Sequence, residues 1–204
     1  MNKGGIFIIS GPSGSGKDTL LVKLFEKRPE IAFSISSITR PMRVGEVEGE
    51  KYNFIPREKF EQMLKDDFFL EHNIYADNYY GTPKLPVIEA SEKGVDMMIE
   101  VDVNGASQIR EKLPEAVSIF IMPPSYAELR RRLSGRGTET KDVINKRMEI
   151  AISEIERAKE YDYIVVNDNI DTAVEDLITV ITNSRLILNR QKHIIDEVLK
   201  DAKP

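Results

Sequence analysis

The chain has 204 residues, 41 % of them hydrophobic and 31 % charged, with a net charge of −5 and no cysteine. That length fits one globular domain with a full core, and no apolar run is long enough to cross a bilayer. The acidic balance excludes a general nucleic-acid binder. The absence of cysteine rules out disulfides and thiolate metal sites and fits a reducing cytoplasm. The short polar start before the first apolar run is not expected to act as a secretory signal.

Taken in chain order, apolar runs at 6–10, 33–36, 95–101, 117–122 and 163–166 predict strands, and periodic segments at 17–27, 104–113, 126–134, 141–160 and 171–190 predict helices. Strands alternating with helices argue for an α/β fold, a parallel sheet covered on both faces. Ligands of such sheets bind at the carboxyl ends of the strands. Residues 37–85 break the alternation with aromatic strand-like pieces around a helix at 57–66, which reads as a small inserted lobe. Residues 125–157 carry arginines and glycines between helical runs and read as a mobile lid. The segment from His193 continues a helical pattern and carries no chemical signal.

Directly after the first strand stands Gly11-Pro12-Ser13-Gly14-Ser15-Gly16-Lys17, and Leu20-Leu21 open a helix behind it. Strand, glycine-rich turn and helix is the setting a phosphate-binding loop requires. The glycines let successive N–H groups turn inward, the helix adds its positive end, and Lys17 supplies a mobile cation. The chain is therefore expected to bind a nucleoside triphosphate. Asp18 follows the lysine where Mg²⁺-binding loops of the GTPase type place Ser or Thr, and Thr19 comes one position later. Asp18 either favours the helix N-terminus or holds Mg²⁺ through water.

A second anion site is written in Arg40-Pro41-Met42-Arg43. The proline cannot continue a ladder, so two guanidinium forks can converge from a loop on one phosphate, although a solvated pair reads the same way. Glu71 lies among apolar neighbours in Phe68-Phe69-Leu70-Glu71, and Tyr80 and Thr82 add hydroxyls downstream.

Together with the phosphate loop, several strings make the chain resemble the guanylate kinase family. They are Ser-Ser-Ile-Thr-Arg-Pro-Met-Arg-Val-Gly-Glu, Gly-Glu-Lys-Tyr-Asn-Phe, Phe-Leu-Glu-His, Asn-Tyr-Tyr-Gly-Thr, Glu-Val-Asp-Val-Asn-Gly, Leu-Ser-Gly-Arg-Gly-Thr and Ile-Val-Val-Asn-Asp, in the family's order from 11 to 168. The resemblance implies a P-loop three-layer sandwich with a core at 1–35, 86–125 and 158–204, a GMP-binding lobe at 36–85 and a lid at 126–157. It implies ATP and GMP as substrates, Mg²⁺ as cofactor, and no nucleic-acid or membrane partner. Gly11 to Thr19 and Asn167 would hold ATP. Arg40, Arg43, Tyr52 and Tyr80 would hold the GMP phosphate, and Ser36, Glu71 and Thr82 would read the guanine. Glu100, where the family usually has Asp, and Asp102 would face the acceptor, or else cap the following helix. Lys17, Arg132, Arg136 and Arg147 would surround the transferred phosphoryl group. A kinase of another phosphorylated acceptor on this scaffold would lack the base reader. A non-catalytic scaffolding relative would have a damaged phosphate loop, which Gly16-Lys17 does not show.

Overall fold

Strand β1 (Ile6–Ser10) is apolar but for its last residue and buried along its whole length, as a strand covered on both faces must be. The computed structural model describes residues 3–135 and 141–200. After β1 come α1 (Lys17–Lys27), β2 (Ala32–Phe33), β3 (Ser36–Ile38), β4 (Tyr52–Phe54), α2 (Arg57–Lys65), β5 (Phe69–Tyr75) and β6 (Asn78–Pro83). The chain continues through α3 (Lys84–Glu92), β7 (Met97–Glu100), α4 (Val103–Lys112), β8 (Val117–Met122), α5 (Tyr126–Ser134) and α6 (Lys141–Glu156). It ends with β9 (Tyr163–Val166), α7 (Ile170–Ser184) and α8 (Leu188–Lys200).

Two sheets result. The first has the order β2-β7-β1-β8-β9 and is parallel throughout. Alternation along β1 sends Phe7 and Ile9 into one cluster with Leu20, Leu24, Val174 and Leu177 of α1 and α7. Ile6 and Ile8 enter another with Val87, Ala106 and Ile109 of α3 and α4, so helices cover both faces. The second sheet, β4-β3-β6-β5, is mixed. Its underside is packed by Phe60 of α2, which stacks on Phe69 at 4.4 Å and Tyr79 at 5.1 Å between ring centroids.

Several expected elements differ. The strand at 33–36 is two strands in different sheets: the Ser34 N–H donates to Met98 in the first, the Ser36 N–H to Lys51 in the second. The helix at 171–190 ends at Ser184, where Arg185 and Leu186 bond back only three residues, and α8 restarts at Leu188. The helix at 141–160 closes as a 3₁₀ turn over Arg157–Glu160. Strand β6 and helix α3 had no clear periodic signal. β6 shows an aromatic and hydroxyl-rich face toward the cleft, and α3 buries only Val87 and Ser91.

Candidate active site

Three loops meet at the carboxyl end of the first sheet: the glycine-rich turn after β1, Glu100–Asp102 after β7, and Asn167 after β9. Gly11 and Gly16 have φ of 150° and 90°, a region that suits glycine. A Cβ at Gly11 would lie 2.4 Å from the Ile121 carbonyl oxygen, and one at Gly16 2.5 Å from Asn167 Nδ2. Helix α1 starts at Lys17 without a side-chain cap, which leaves the N–H groups of its first turn available to an anion. The Lys17 ammonium donates to the Gly11 carbonyl at 2.5 Å and to Pro12 at 3.2 Å. Burial lowers its pKa, against the opposing pull of Glu100, Glu154 and Asp18.

Asp18 lies in that first turn but makes no capping bond. Its carboxylate pairs with Lys51, and the same ammonium lies 2.9 Å from Glu100 Oε2. Burial alone would depress Lys51; Glu100 and Asp18 overcome it and raise its pKa.

The second sheet arranges the expected base and phosphate readers by register. Ser36 pairs with Tyr52 across β3 and β4, and Thr82 with Glu71 across β6 and β5. Ser37 faces Gly81, so one step along Ser36 stands opposite Thr82. Tyr52, Ser36, Thr82 and Glu71 therefore form one row across four strands, on the same face. Tyr80 and Asn73, paired to each other two positions along, share that face. Glu71 is 5 % exposed and accepts a 2.6 Å bond from the fully buried Thr82 hydroxyl. Burial pushes its carboxyl up to about 7, while the Thr82 bond works the other way. Gly105 makes room for it: a Cβ there would lie 2.8 Å from Glu71 Oε2.

Arg40 is 9 % exposed and its guanidinium stands 5.5 Å from the ring centres of both Tyr52 and Phe54. Its fork grips Glu46 through two bonds of 2.7 and 2.6 Å, which holds the Glu46 carboxyl down to about 2. Arg43 does not converge with it: the Arg43 side chain is exposed, and only its backbone N–H shares Glu46, at 2.7 Å. Asp102 caps α4, accepting from the N–H groups of Asn104 at 2.9 Å and Gly105 at 2.8 Å, with Asn73 on its other oxygen at 2.6 Å.

On the lid side Arg132 reaches the loop itself. It donates to the Ser15 carbonyl at 3.3 Å and the Asn167 carbonyl at 3.0 Å, and to Glu128 at 2.8 Å. Arg147 of α6 donates to Ser13 Oγ at 2.6 Å. The buried Asn167 amide donates to Ser15 at 2.8 Å, so it braces the phosphate loop. Arg136 lies outside the described residues.

Glu46, Lys51, Gly105 and Glu154 were not assigned roles from the sequence. Glu154 stands seven residues after Arg147 on the same helical face. Its half-buried carboxyl is pushed up by burial against the Lys17 charge. A cavity of about 480 Å³ at the opposite end of the sheet, lined by Gly5, Ile6, Leu113 and Arg190, contains none of these residues. Among the described residues no three His, Cys, Asp or Glu side chains gather as a metal site, and no helix is long and apolar enough to cross a membrane.

A parallel sheet with a phosphate-binding loop behind its central strand, and a second sheet hung over its carboxyl end, defines a P-loop kinase fold. The guanylate kinase family model matches residues 3–184. A guanylate kinase of Clostridioides difficile is 43 % identical over 201 residues, covering 98 % of both chains. One of Escherichia coli is 45 % identical over 98 % of this chain and 97 % of its own length. The crystal structure of guanylate kinase from Anaplasma phagocytophilum superposes with a TM-score of 0.77 at 32 % identity, covering 93 % of this chain and 90 % of that one. The chain belongs to the guanylate kinase family, and is a nucleoside monophosphate kinase.

Proposed function

We propose that the chain transfers the γ-phosphoryl group of ATP to GMP, and to dGMP, giving ADP and the nucleoside diphosphate, as a step of purine nucleotide metabolism in the cytoplasm. The observation that carries this reading is the row Tyr52, Ser36, Thr82 and Glu71, with a buried carboxylate at its end, facing a phosphate-binding loop.

Each part has a physical task. Gly11 to Thr19 present backbone N–H groups and Lys17 to the ATP phosphates. Arg40, Tyr52 and Tyr80 receive the acceptor phosphate, with Glu46 bonded to the Arg40 fork and fixing its orientation; Arg43 swings in from the surface. The ionised Glu71 accepts from guanine N1–H and the exocyclic amine together, while Thr82 and Ser36 offer hydroxyls. Adenine presents a lone pair to that carboxylate and is rejected.

The residues present suit Mg²⁺. The donors are hard oxygens, and among the described residues no all-protein cage competes, which is how that ion sits among nucleotide phosphates and water with one or two carboxylates. Asp18, on the first turn, would reach the ion through water while its carboxylate stays paired with Lys51, and Glu100 stands behind. Bound there, Mg²⁺ supplies charge neutralisation on the phosphates. The lid at 126–157 closes over the donor, excludes water, and brings Arg132, Arg136 and Arg147 to the transferring group. The acceptor phosphate oxygen attacks in line, so no side-chain nucleophile is needed.

Lys17→Met tests the division of labour. ADP formation from ATP and GMP should fall by about 10³-fold or more, with calorimetric GMP affinity retained. Unchanged turnover would overturn the assignment.

A further inference from the structure

The Lys51 side chain belongs to neither anion cradle, yet it lies between them. It rises from the turn before β4 in the second sheet. Its ammonium pairs with Asp18 on the first turn of α1 and stands 2.9 Å from Glu100 at the end of β7. Among the described residues this is the one ion pair joining the second-sheet segment to α1. Glu100 is 13 % exposed and Asp18 74 %, so the pairing runs from the protein interior to the mouth of the phosphate loop.

The charges around it explain why a cation is needed there. Asp18 and Glu100 put two negative charges beside Lys17, where two further anions, the donor and acceptor phosphates, must approach one another. Like charges this close repel by amounts that grow as water leaves the cleft. Without Lys51 the two carboxylates, one on α1 and one at the end of β7, repel each other, and the second-sheet segment loses its ionic tie to both. With it, one ammonium offsets half of their charge and ties the second-sheet segment to α1 and β7, which fixes the separation of the two cradles.

We propose that Lys51 is a positioning residue for phosphoryl transfer: a cross-cleft latch that sets the acceptor lobe against the donor helix through Asp18 and Glu100. The inference rests on the reading of the second sheet as the acceptor lobe. Because neither nucleotide pocket is built from Lys51, its loss should disturb alignment and leave each pocket intact. Alignment is the term most sensitive to a displacement of about 1 Å, which can cost roughly 10²-fold.

Two measurements test it. In steady-state assays Lys51→Met should lower kcat by about 10²-fold while each KM stays within about threefold. Lys51→Arg should restore most of the loss, and on an Asp18→Asn background Lys51→Met should cost several-fold less, since the two share one interaction. The second measurement needs no turnover. As the chain has no cysteine, spin labels at Lys59→Cys on α2 and Glu26→Cys on α1 report the separation across the cleft in the ligand-free protein. One narrow distance distribution is expected with Lys51, and a broader, longer one with Lys51→Met. The latch is overturned by an unchanged distribution, by wild-type kcat in Lys51→Met, or by a fall in kcat that tracks a fall in melting temperature. A protein that shows the distance change but phosphorylates no nucleoside monophosphate would instead overturn the functional reading and leave the latch standing.

Discussion

Glu71 carries the central chemical conflict of the molecule. Its carboxyl must be ionised to accept two donors from guanine, yet burial holds its pKa up to about 7. Asp102 adds to that rise, while the Thr82 bond and the Lys112 charge oppose it. Below that pH the protonated form offers a donor where guanine also donates. The apparent KM for GMP should therefore fall as pH rises toward 7 and level off above it, by roughly tenfold per pH unit on the acid side. The KM for ATP should not follow. The sign for stability is opposite. A carboxyl whose folded pKa lies above its unfolded one costs stability as pH climbs from the unfolded value through the folded one. Glu71→Gln removes that cost. At pH 8 it should raise the melting temperature while lowering kcat/KM for GMP by about 10³-fold or more. Equal losses for GMP and ATP would mean a structural role. Glu71 was legible in the sequence because a carboxylate amid Phe68, Phe69 and Leu70 is conspicuous. Glu46 and Lys51 were not, because a single charged residue in a polar loop looks the same whether it faces solvent, folds back on Arg40 six residues earlier as Glu46 does, or meets Asp18 33 residues away as Lys51 does.

At the scale of elements, α4 links the two sheets. Its first turn is capped by Asp102, and its glycine, Gly105, lies against Glu71. Gly105→Ala would put a methyl 2.8 Å from Glu71 Oε2 and 3.1 Å from Val101 Cβ. The carboxylate must then shift, and kcat/KM for GMP should drop about tenfold or more with ATP affinity kept. Asp102 separates two roles by substitution. Asp102→Ala should destabilise the protein by about 1 kcal/mol through loss of the cap, measured by urea unfolding. Asp102→Asn keeps a capping oxygen and should retain most of that stability, so any fall in turnover it shows reports the charge. On the lid, Arg132 is bonded to the Ser15 and Asn167 carbonyls. Arg132→Met should therefore raise the KM for ATP as well as lower kcat, whereas a purely transition-state arginine would lower kcat alone. The strands of the first sheet were readable because they are continuous apolar runs. β6 was not, because its Tyr80 and Thr82 look toward the cleft and break the pattern that burial writes.

Over the whole molecule, the donor site was written locally and the acceptor site was not. Gly11 to Lys17 form one turn, so their spacing alone declares a phosphate loop. The acceptor site is a row across four strands, and only register puts Tyr52, Ser36, Thr82 and Glu71 side by side. In the sequence these residues came together through resemblance to a family, and periodicity could not have aligned them. The most direct test of the account is ADP release from ATP with each nucleoside monophosphate offered in turn. GMP should be used with a kcat/KM about 10⁴-fold or more above that for AMP, and Glu71→Gln should erase most of the difference. Comparable turnover of AMP and GMP by the unaltered protein would contradict it.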